Sequence, residues 1–148
     1  MNRSHRFTRE AGWVAWLVAL HVVVALAHGA AHLALAVVPP AVDDIFIVVV
    51  IGLAPVMTLP FVLRGNRVGM GVLALALAAS WLYGAINHFF VSGADHVRGL
   101  DAGAWQATFT ITAAGLFVLE AMGTLLAARL FWRASRSFPR HAPARPFA

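Results

Sequence analysis

The sequence predicts an all-α integral membrane protein, a four-helix bundle running up-down-up-down with both termini in the cytoplasm. Three observations predict it. Hydrophobic residues make up 61% of the 148-residue chain and charged residues only 11%, against about 25% charged in an ordinary soluble domain. Four apolar runs cover residues 11–38, 45–63, 68–91 and 104–128, and a helix needs about 20 such residues to cross the hydrocarbon core. Ten of the eleven arginines fall before the first run, between the second and third, or after the fourth. The positive-inside rule then puts those three segments in the cytoplasm.

The composition excludes a soluble globular enzyme, a disordered tail and a nucleic-acid module. The net charge of +5 is a marker of topology and not a nucleic-acid footprint. With no cysteine in the chain, disulfide scaffolds, thiolate metal sites and thiol redox chemistry are excluded. There is no HExxH, P-loop, GxSxG or dinucleotide-binding glycine pattern, and one His-rich helix falls short of the several histidine boxes of membrane desaturases.

Residues 1–10 read as an Arg-rich cytoplasmic tail. An apolar stretch ending Ala25-Leu26-Ala27 after basic residues also has the outline of a signal peptide. The run continues to residue 38 and carries histidines, so it reads as an uncleaved first span, which intact mass tests. Pro39-Pro40 and Asp43-Asp44 break it from the second span, where Pro55 and Pro60 are expected to kink the helix or end it early. Arg64-Gly65-Asn66-Arg67 makes the next turn. After the third span Ser92-Gly93 ends the helix, and Gly93 is expected to take a positive φ that folds Asp95-His96 back toward Asp43-Asp44. The fourth span follows, with Gly115 and Gly123 as helix-packing positions beside Ala74, Ala78 and Ser80. Trp13, Trp105 and Trp132 near span ends read as interfacial anchors. Residues 11–128 thus form one transmembrane domain. Residues 129–148 are a basic, Pro-containing cytoplasmic tail, unstructured from 138 onward, whose arginines can touch anionic lipid headgroups. For a prokaryotic chain the compartment is the plasma (inner) membrane.

Ionisable residues inside a span are expensive and usually functional. Only Glu120 is formally charged within the four runs; the histidines there are His21, His28, His32 and His88. Steps of seven and four residues keep His21, His28 and His32 on one helix face, and the i, i+4 pair His28/His32 can chelate one ion. Span three presents Ser80, Gly84, Asn87 and His88; span four presents Gln106, Thr110, Glu120 and Thr124. At about 1.5 Å per residue, His28, His32 and His88 lie in the outer half, with Asp95, His96, Asp43 and Asp44 at its mouth. His21 and Glu120 lie toward the cytoplasm.

Imidazole suits Zn, Cu, Fe and Ni. The leading expectation is a transition-metal site with His28, His32 and His88 as ligands and His96 or Asp95 completing it. Asn87 or Thr108 would hydrogen-bond behind the ligands. Metal handling or redox chemistry near the outer face would follow. A second reading is a b-type haem held by His32 and His88 in an electron-transfer subunit, with quinone or other membrane subunits as partners. A third is a structural or assembly subunit whose histidines only join helices. His21 and Glu120 form either a proton relay or a structural lock between spans one and four.

Overall fold

The structure, a computed structural model, describes residues 3–136, with side chains from Phe7 onward. The expectation for the tail from 138 lies outside the described residues, as do the side chains of Arg3 and Arg6. Among the described residues, four helices are each long and apolar enough to cross a membrane. They are α1 (Arg3–Ala34), α2 (Ala41–Leu63), α3 (Arg67–Phe90) and α4 (Ala104–Arg136). Their outward faces carry Trp16, Leu26, Leu33, Leu75 and Leu125, all exposed, and an apolar surface on this scale calls for lipid in place of water.

Turn chemistry sets the ends of the elements. Pro40 precedes α2, and Asp43 and Asp44 in its first turn complement the helix dipole. Asn66 caps α3, its side chain accepting from the Gly69 N–H at 3.1 Å. Gly65 holds φ +79° in the α2–α3 turn. α1 ends with Ala36 at φ 53°, and its last carbonyls are met by Ala36 N–H to Leu33 and Val37 N–H to His32. That C-terminal closure is usually built with glycine at the left-handed position. Ala36→Gly is therefore expected to raise stability by about 0.5–1 kcal/mol, measured by thermal unfolding in detergent.

The prolines of α2 do not end it; the helix runs through both to Leu63. Pro55 has no N–H, so the Ile51 carbonyl lacks the donor four residues ahead. The backbone absorbs this with a wide i→i+5 turn over Ile47–Leu53, which Ala54 N–H closes onto Val49. A second wide turn, Ile86–Phe90, ends α3 and contains His88. Gly93 keeps a negative φ; the reversal after α3 is made by Val97 N–H to the His88 carbonyl and by the turn from Gly93 to His96.

The hydrophobic core occupies one half of the bundle, where Val14, Val18, Val62, Met70, Leu73, Leu77, Ala127 and Leu130 pack together. At the end of that half, Arg133 donates to both carboxylate oxygens of Glu10, and Arg129 lies 3.6 Å from the same group. Glycine allows close approach here. A Cβ on Gly69 would meet Phe61 at 2.5 Å, and one on Gly123 would meet Leu77 at 2.7 Å. The other half holds the histidines.

Candidate metal centre

His28 and His32 come from the last turns of α1, and His88 from the wide turn ending α3. Their ring nitrogens converge. His28 Nε2 lies 3.2 Å from His88 Nε2 and 3.2 Å from His32 Nε2, and the three candidate ligand atoms all fall within 4.8 Å of one another. Two nitrogens each 2.0–2.1 Å from a tetrahedral ion would be about 3.3 Å apart, so both short edges match a shared ion. His28 and His88 are buried and His32 is half-buried. The group could hold a metal ion.

The partners behind the rings set the tautomers. His32 Nδ1 is 3.2 Å from the Val37 carbonyl, and His88 Nδ1 is 3.1 Å from the Asp95 carbonyl. A carbonyl only accepts, so each Nδ1 donates. His28 Nδ1 faces Thr112 Oγ1 at 2.9 Å. The Thr112 hydroxyl is itself 2.7 Å from the Thr108 carbonyl, to which it gives its proton, so its oxygen accepts from His28. All three neutral rings therefore carry their proton on Nδ1 and a bare lone pair on Nε2. Three lone pairs facing one another repel unless a cation sits among them. Metal-ligating histidines commonly hold the other ring N–H on a carbonyl or carboxylate in this way.

The other residues that the sequence singles out stand behind the rings or apart from them. Asp95 meets the cluster from the Nδ1 side: its carbonyl accepts from His88, and its carboxylate Oδ1 lies 3.5 Å from His32 Nδ1. It orients two ligands and is not itself among the converging nitrogens. His96 stands apart, its Nδ1 accepting from the Arg98 backbone N–H, because the reversal spends Asp95 on the cluster and turns the next residue away. Asn87 donates to the Tyr83 carbonyl of its own helix. Thr108 donates its hydroxyl to Ala104 and contributes its carbonyl through Thr112. The expected hydroxyl thus comes from one turn later in α4.

Sequence reasoning also missed Phe109, whose ring centroid lies 4.6, 4.8 and 5.2 Å from those of His28, His32 and His88. A porphyrin between His32 and His88 would need the space these rings fill. Their centroids are 5.9 Å apart, and His28 lies within 4.9 Å of each. The residues present do not fit a haem.

At the outer rim of the cluster Tyr83 OH donates to Asp43 Oδ2 at 3.2 Å, and Asp44 and Asp95 line the same cavity as the triad. Deeper in the bundle, His21 Nε2 donates to the Ile51 carbonyl at 3.0 Å, the group whose donor four residues ahead is missing at Pro55. That leaves His21 Nδ1 facing Glu120 Oε1 at 3.6 Å, with both side chains almost fully buried. The arrangement joins α1, α2 and α4 through one side chain. Removing the Thr112 hydroxyl tests the support of the triad: Thr112→Val is expected to lower metal affinity about 10–100-fold, with little change in fold, read by competition against a chelator of known affinity.

No known protein family, curated protein or solved structure matches this chain.

Proposed function

We propose that this protein is an integral membrane protein that binds one transition-metal ion, Zn, Cu or Fe, through His28, His32 and His88. The single observation that carries the reading is the convergence of three Nε2 lone pairs whose Nδ1 protons are all committed elsewhere. A packing role would be served by any ring orientation that satisfies a hydrogen bond; this one leaves three acceptors together and no donor among them. In the alternating topology proposed from the arginine distribution, both termini are cytoplasmic and residues 11–128 form one transmembrane domain. The triad then lies in the outer half of the bilayer, the arginine-rich tails lie against anionic headgroups, and Asp43, Asp44 and Asp95 face the outer side, where they attract cations. The role is metal handling or redox chemistry near that face.

When bound, the ion supplies Lewis acidity or a redox centre. The chain's own residues hold it: Val37, Asp95 and Thr112 fix the three rings, and Phe109 closes the site against water. Acid weakens binding, because protons compete for the same Nε2 lone pairs. The reading is tested by mass-spectrometric metal content after purification in mild detergent. One ion per chain in the wild type, strongly reduced in His28→Ala/His32→Ala, is the expected result. A metal-free, colourless protein that takes up no added ion would leave the histidines as helix contacts only.

A further inference from the structure

The triad forms one end of a cavity of about 570 Å³ that extends between the helices to Glu120. This is the size of sites that hold cofactor- or drug-sized ligands. Most of its wall is apolar, with Ile51, Ala113, Leu116 and Phe117 between the triad and Glu120. On α3, His88 and Ser80 line it eight residues apart, about 12 Å along the helix. An apolar space of this kind does not favour water.

Two glycines keep the space open. Gly29 and Gly84 both line the cavity. A Cβ on Gly29 would meet nothing within 4 Å, and one on Gly84 only the His88 ring at 3.8 Å. The wall also contains Trp81, whose indole N–H is buried with no hydrogen-bond partner. A buried donor left alone is unfavourable by itself and is suited to an acceptor on a bound molecule.

The cavity reaches the outside through an apolar rim. Leu33 and Val38 line it while being 84% and 79% exposed. α1 packs on α2 chiefly along Ala54–Leu63, so the gap between the two helices opens beside Leu33 and Val38. Both residues lie in the first apolar run, which puts this opening against lipid.

We infer that the cavity binds a single-chain amphiphile drawn from the bilayer, its oxygen headgroup completing the coordination of the ion at the triad and its apolar chain lying toward Glu120. The inference rests on the metal reading and names the ligand class of that site. The triad supplies three nitrogens where a tetrahedral ion takes four ligands, and the cavity lies where the remaining ligand would come from.

The test uses the full chain in lipid nanodiscs loaded with Co(II), whose visible absorption reports coordination. Straight-chain carboxylates from acetate to dodecanoate are the probes. The concentration needed to change the spectrum is expected to fall about fourfold per added methylene and to level off near ten carbons, where the chain spans the roughly 12 Å from the level of His88 to that of Ser80. Gly29→Leu and Ala25→Leu, which add bulk to the α1 side of the cavity, are expected to keep the acetate response and reduce the advantage of decanoate at least tenfold. Equal potency across the series overturns the inference. So does a gain that continues to dodecanoate without levelling, even where the leucine variants fail to fold, because partition into lipid alone then accounts for it. Absence of a Co(II) spectrum before any carboxylate is added overturns the metal reading, and the inference with it.

Discussion

His28→Ala is expected to weaken Zn(II) binding by about 100- to 1,000-fold, the largest effect of any single ligand substitution. A protein zinc site is worth on the order of 10–16 kcal/mol across its few ligands, so one imidazole carries several powers of ten in affinity. His28 stands in the middle of the triad, 3.2 Å from each of the other two Nε2 atoms, and its loss leaves His32 and His88 with no short edge between them. Competition against a zinc chelator measures the change. If the three rings only held helices together, the substitution would lower thermal stability through the cavity it leaves and leave metal uptake unaltered.

The second large effect falls on folding. His21→Leu is expected to destabilise the bundle by about 2–4 kcal/mol, read as unfolding in detergent. It strands the Ile51 carbonyl that Pro55 has already deprived of a helical donor, and it leaves Glu120 facing an apolar wall. The double variant His21→Leu/Glu120→Leu is expected to recover part of that loss, since removing both members of a buried polar pair is milder than removing one. The coupling between the two substitutions separates a specific pair from two independent core positions.

The spans were legible because composition and run length are local properties: each of the four runs contains a helix, and Pro40, Asn66 and Gly65 stand at the turns their chemistry suits. Helix periodicity also reads the pairing of His28 with His32, since i, i+4 geometry is internal to one helix. Other features depend on backbone groups that every residue carries. The Val37 and Asp95 carbonyls that fix the tautomers have no signature in the side-chain sequence. Thr112 and Phe109 are not legible, because a threonine and a phenylalanine in an apolar run look like any others. The i→i+5 turn of α2 came from the conflict between Pro55 and the hydrogen-bond ladder; the sequence flags the proline but not whether the helix breaks, kinks or widens. His96 shows the converse case. A histidine beside Asp95 invites grouping, yet a chain reversal sends neighbouring side chains in different directions.

X-ray absorption at the metal edge of the purified, loaded protein tests the central claim most directly. Three imidazole nitrogens near 2.0–2.1 Å with at most one or two further light ligands are the predicted shell, and it is lost in His28→Ala/His32→Ala/His88→Ala. A shell made only of oxygen, or one unchanged in that triple variant, would place the ion elsewhere and contradict the assignment of His28, His32 and His88 as its ligands.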